Sequence, residues 1–181
     1  MSDRPPDPHR LDLRHLAQQA ETLSGSLLQT ALGRLRDSVA PMAGEPPLVR
    51  WSARAESRPV RGGEPQVWLH LQARTAVQLV CQRCLQLMVE QLAVDRSFLF
   101  VPSAEEAERL DEDSDDDVLV LPKLFDAIDL LEDELILALP IVPSHMSCPN
   151  PLPMEAAEPD ERPAPNPFAV LAALRQTPRA G

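Results

Sequence analysis

Tyrosine is absent from this chain of 181 residues, and aromatic residues together make up only 3% of it. A core must therefore be aliphatic, built from Leu, Val and Ala, and at 44% hydrophobic content there is material for one. Six glycines leave scarcely any scope for a Gly-rich phosphate loop, and no Gly-x-Ser-x-Gly elbow occurs. Three cysteines are an odd number and too few for a disulfide scaffold. No stretch approaches the roughly 20 apolar residues that span a bilayer. The start, MSDRPPDPHR, lacks the apolar run of a signal peptide. The expected location is therefore cytoplasmic and reducing, with no membrane partner. Positive charge is also short: 17 basic residues face 28 acidic ones, for a net charge of −11. Such a surface repels bare phosphate backbones unless arginines gather locally, and it attracts basic partners.

Proline is abundant, with 20 residues, and it marks out the ends. Residues 1–10 read as a disordered N-terminal segment, 11–148 as a single domain and 149–164 as a proline-rich linker. Residues 165–181 read as a short C-terminal helix and tail. The helix candidate carries Phe168, Leu171 and Leu174 and is too short to be stable alone. It either docks back on the domain or binds something else.

Inside the domain, residues 11–40 have helical spacing, with Leu28, Leu32, Leu35 and Val39 on one face and Ser24 or Ser26 as N-cap. LVRWSARAESRPV alternates weakly, RGGEP signals a turn, and QVWLHLQARTAVQL alternates well, with Val67, Leu69, Leu71 and Ala73 on one side. LQLMVEQLAVDRSFLFV reads as further strand. EEAERLDEDSDDD (105–117) holds nine acidic residues, which favours a solvated loop. Asp111, Asp113, Asp115 and Asp117 alternate as in a calcium loop, but Asp116 and Pro122 stand where that loop needs Gly and Glu. KLFDAIDLLEDELILALP predicts an amphipathic helix from near Pro122 to before Pro140. Its apolar face carries Leu124, Ile128, Leu131 and Leu135, and Asp126, Asp129 and Asp133 form an acidic stripe. The fold class expected is α+β: a mostly antiparallel sheet with flanking helices and a proline-rich C-terminal tail.

Chemistry concentrates in two short motifs, Cys81-x-x-Cys84 between strands and His145-x-x-Cys148 after the acidic helix. Three thiols and an imidazole suit one tetrahedral structural zinc ion, which would clasp the chain after the helix to the sheet. Reduced, inert cysteines are an equally open reading. A redox pair fits less well, because thioredoxin-like pairs start a helix whereas here strand flanks both sides. His9, His15 and His70 are isolated. No acid–base pair or other catalytic constellation is present, so the expectation is a non-enzyme without a small-molecule substrate.

VCQRCLQ (80–86), the acidic break, IDLLEDELILALPIVPSH (128–145), Cys148 and PNPFAVLAALR (165–175) together resemble the bacterial YceD family, the large ribosomal RNA subunit accumulation proteins. The resemblance implies a role in synthesis, processing or stability of 23S rRNA, and no catalytic activity. Two mechanisms follow. The chain could contact large-subunit rRNA or the pre-50S particle through arginines, with Arg54, Arg58, Arg74 and Arg83 as the main candidates and Arg50 and Arg61 nearby. Alternatively it could escort a basic ribosomal protein on Asp115, Asp116 and Asp117 together with the stripe Asp126, Asp129 and Asp133.

Overall fold

The computed structural model describes residues 6–112, 114 and 116–149. The linker and C-terminal helix readings therefore lie outside the described residues. A five-stranded sheet, in the order β1-β2-β3-β4-β5, forms the centre. β1 (Thr22–Leu28), β2 (Leu48–Arg58), β3 (Gln66–Val80) and β4 (Leu87–Val101) pair antiparallel in succession, and β5 (Asp117–Val120) joins β4 in parallel. That last pairing needs a crossover, supplied by α3 (Ala104–Asp111). The α+β expectation holds.

Two local readings are corrected. Residues 11–40 are not one helix: α1 (Leu13–Gln19) ends at Ala20 in the left-handed region (φ 51°), and β1 follows. In TLSGSLL the polar Thr22, Ser24 and Ser26 alternate with Leu23, Gly25 and Leu27, a two-residue period that pairing with β2 turns into an edge strand. Gly25 lets the Trp51 indole pack closely on β1, since a Cβ there would stand 3.3 Å from the ring. A short 3-10 turn then leads into α2 (Gly33–Ser38). The acidic run is likewise not wholly loop, since α3 occupies its first part. Ser103 accepts the Glu106 N–H as N-cap, Glu105 and Glu106 sit at the positive end of the helix dipole, and Arg109 lies in the last turn.

The alternation in β3 does what its spacing predicts: Val67, Leu69, Leu71, Ala73, Val77 and Leu79 are all buried on the inner face. Helices α1, α2 and α4 (Ala127–Leu137) supply Leu13, Leu16, Leu35, Leu131 and Leu135 against them. Full burial of each such leucine stabilises by about 1.5–3 kcal/mol. Phe100 and Phe125 meet edge to face at 5.3 Å. A smaller cluster on the other face packs Trp68, Leu99, Val101 and Val118 under α3.

α4 begins later than Pro122, because residues before it run extended: Leu11 and Phe125 exchange two backbone hydrogen bonds. Asp126 is the N-cap, accepting the Ile128 and Asp129 N–H groups at 2.9 Å each. Glu132, on the buried side of α4, has a second duty. Its carboxylate accepts the Arg34 and Leu35 N–H groups at 2.6 and 3.0 Å, capping α2, whose own cap residue Leu32 has no side-chain acceptor. Replacing Glu132 with Ala should therefore destabilise by about 2–3 kcal/mol in urea unfolding, since charge-assisted bonds go and two helix N–H groups are orphaned. Glu132→Gln, which retains an acceptor, should cost about half as much; equal losses in both variants would contradict the capping role.

Candidate functional site

The tip of the β3–β4 hairpin is a tight turn. The Cys81 N–H donates to the Gln86 carbonyl and the Leu85 N–H donates to the Cys81 carbonyl, both at 2.9 Å. Leu85 takes φ 58°, a left-handed conformation that costs a residue with a Cβ about 1–2 kcal/mol and persists where neighbours over-determine it. Facing the turn is the strap that follows α4. The Gln82 N–H donates to the Pro143 carbonyl at 2.8 Å, and the Arg83 guanidinium bonds the His145 carbonyl. These contacts between turn and strap bring His145 and Cys148 over Cys81 and Cys84.

The four ligand atoms all lie within 4.8 Å of one another. Cys81 Sγ and Cys148 Sγ are 3.8 Å apart, and Cys84 Sγ and His145 Nδ1 are 3.4 Å apart. A tetrahedron with metal–sulfur bonds of about 2.3 Å has sulfur–sulfur edges of about 3.8 Å, so spacing and donor types both fit a zinc-sized ion. Cys81 and Cys84 are buried, while His145 and Cys148 are half-buried. Burial opposes ionisation of Cys81, but the His145, Arg83 and Cys84 main-chain N–H groups converge on its sulfur and depress its thiol to about 5. Burial and the adjacent Cys84 and Cys81 sulfurs push Cys148 the other way, upward. The N–H groups at Cys81 favour its thiolate, the form in which a cysteine ligates metal. The Cys pair sits between two strands rather than at the start of a helix, so it lacks the setting that tunes thioredoxin-like redox pairs.

The remaining charged residues fall into two regions. On α4, Arg34 reaches across from α2 to Asp129 (2.6 Å), Glu132 (3.2 Å) and Asp133. Asp126 is used as the N-cap and lies 3.0 Å from His9. Burial opposes its charge, yet the Asp129 N–H and His9 hold its carboxyl below the usual range. Asp117 pairs with Arg96, Asp116 is exposed, and Asp115 is outside the described residues. The acidic stripe is therefore largely occupied by in-chain cations, above all by Arg34, which sequence reasoning missed because its partners are some 95–99 residues away.

The arginines separate differently. Arg50, Arg54 and Arg58 alternate along β2 and, by register, share the outer sheet face with Arg74 of β3. All four are exposed. Arg54 and Arg58 flank Glu56, and Arg58 also stacks over Trp68 at 4.1 Å. Arg83 is not among them: it belongs to the hairpin tip, about 20 Å or more beyond Arg74 along the strand. One consequence of the sulfur environment is directly measurable. In chelator-treated protein, ultraviolet thiolate absorbance should rise as pH increases through about 5, and Cys81→Ser should remove that step; a first thiolate appearing only near pH 8–9 would contradict the N–H cradle.

A family model described as "Large ribosomal RNA subunit accumulation protein YceD" matches residues 69–175, which include the hairpin, the Cys and His motifs and α4. The protein of that name from Haemophilus influenzae is 37% identical over 110 residues, covering 55% of this chain and 60% of that protein. The chain thus spans about three-fifths of this curated relative's length. No solved structure matches. With more than half of its residues matched, the chain belongs to the YceD family.

Proposed function

We propose that this protein is a non-catalytic factor in large-subunit rRNA accumulation that acts in the cytoplasm by contacting rRNA or a precursor of the large subunit directly. The family name supplies the process. The observation that carries the direct contact is the segregation of charge: Arg50, Arg54, Arg58 and Arg74 share one open sheet face, while the α4 carboxylates are engaged by Arg34. A net charge of −11 then works as an orienting field, repelling RNA from the α4 side and from the corner of the outer face that the acidic α3 covers, and leaving the arginine-bearing part of that face as the approach. The Cys81, Cys84, His145 and Cys148 group holds one zinc ion in this reading. With four protein ligands and no open position, its role is structural, tying the hairpin to the strap.

A second reading, escort of a basic ribosomal protein, is favoured by α3. None of its residues is buried, and Glu105, Glu106, Glu108 and Asp111 all belong to it. Affinity capture of the tagged protein from growing cells, with and without RNase, separates the two. Direct action predicts large-subunit rRNA in the untreated sample and loss of co-captured ribosomal proteins after RNase. A basic ribosomal protein retained in full after RNase, and lost when the α3 carboxylates are neutralised, would overturn direct action in favour of escort.

A further inference from the structure

β1 forms one edge of the sheet and β5 the other, and the two edges are not equally guarded. β5 is four residues long, begins with Asp117, which Arg96 binds, and lies beside α3. Shortness, charge and a covering helix are devices that keep an edge from pairing with another chain. β1, with the sequence TLSGSLL, runs for seven residues and carries neither charge nor proline. The neighbouring helix α1 packs mainly on β2 and β3.

The ladder shows which backbone groups of β1 are free. The Ala55 N–H donates to the Glu21 carbonyl, and the Gln29 N–H donates to the Pro47 carbonyl. Odd-numbered residues of β1 therefore turn their backbone groups to β2, whereas Thr22, Ser24 and Ser26 turn theirs outward. Among the described residues, no backbone hydrogen bond from another element reaches those three. Such a row of free donors and acceptors is a template for one more strand.

The strand's own sequence selects the partner. Leu23-Ser24-Gly25-Ser26-Leu27 reads the same in both directions about Gly25. Laid antiparallel on a second copy with Gly25 facing Gly25, Ser24 faces Ser26, and their outward N–H and C=O groups meet in hydrogen-bonded pairs. Leu23 faces Leu27 on the inner face, where each is half-buried against the core of its own chain, so the core continues across the axis. The facing glycines form the close, non-hydrogen-bonded pair, with Cα atoms about 4.5 Å apart. Each has the Trp51 indole of its own chain set against it, which brings the two rings side by side.

We propose that β1 is a dimerisation edge, through which two copies of this chain pair antiparallel about a two-fold axis at Gly25. The contact is isologous and leaves only the guarded β5 edges free, so assembly stops at two chains. It holds whichever molecule the arginine face contacts.

The test is sedimentation velocity of the full chain across a concentration series. The parent should pass from a single chain to a species of twice the mass and no further. Ser24→Glu/Ser26→Glu sets like charges opposite each other across the axis and should raise the dissociation constant roughly tenfold. Position 26 faces Arg50 within its own chain, so the added carboxylate does not burden the monomer. Ser24→Lys/Ser26→Glu sets opposite charges in the same pairs and should dimerise at least as tightly as the parent. That recovery depends on position 24 facing position 26, so it reports the register and not mere stickiness. A parent that stays a single chain at every concentration overturns the proposal, as does assembly that continues beyond two. Equal dissociation constants in all three proteins, or a lysine–glutamate variant that dissociates as readily as the double-glutamate one, would also refute it.

Discussion

The pairing of β3 with β4 over fourteen residue pairs, from Val67–Phe100 to Val80–Leu87, is the constraint on which the rest of the molecule depends. Because side chains alternate faces with a period of two, that one register commits Leu69, Leu71 and Val77 to the core and Gln72 and Arg74 to solvent. It also sets the two ends of the hairpin apart. Cys81 and Cys84 are placed at the tip, with the strap after α4 folded over them, while Arg74 stays beside β2 and completes the arginine face.

Charge is distributed by the same geometry. The helical layer covers the inner face, and its acidic residues are drawn into structural work: Asp126 caps α4, Glu132 caps α2 from a neighbouring helix, and Arg34 binds Asp129 and Asp133. Replacing Arg34 would therefore expose carboxylates and loosen the junction of α2 and α4 together. The outer face has α3 over one corner only, where Trp68, Leu99 and Val118 need cover. What remains open on that face is enriched in arginine, in a chain that is acidic as a whole.

Much of this was legible in the residues. Alternation in QVWLHLQARTAVQL and LQLMVEQLAVDRSFLFV is strong enough to give both long strands, and the matched Cys-x-x-Cys and His-x-x-Cys steps point to one four-ligand group. Leu28, Leu32, Leu35 and Val39 misled because their spacing imitates a helix face. The shorter period in TLSGSLL was the better signal, and Leu28 proves exposed at 44%. The acidic run concealed α3, whose Ser103 cap and first-turn glutamates offset its poor hydrophobic content. Contacts such as Arg34 with α4, or Arg50 facing Arg74, had no local signature at all: each depends on strand register or helix packing between distant segments. Arg83 resembled its fellow arginines in sequence but was separated from them by the length of a strand.

The proposal that zinc ties the hairpin tip to the strap rests on the Cys81, Cys84, His145 and Cys148 group, which turn–strap hydrogen bonds bring together. Zinc-edge X-ray absorption on protein purified from cells grown without added metal tests it most directly. The account predicts one zinc per chain in a shell of three sulfurs at about 2.3 Å and one nitrogen at about 2.0 Å, matching the Cys81, Cys84, Cys148 and His145 group. A chain purified without zinc, or zinc in a shell dominated by oxygen, would contradict it.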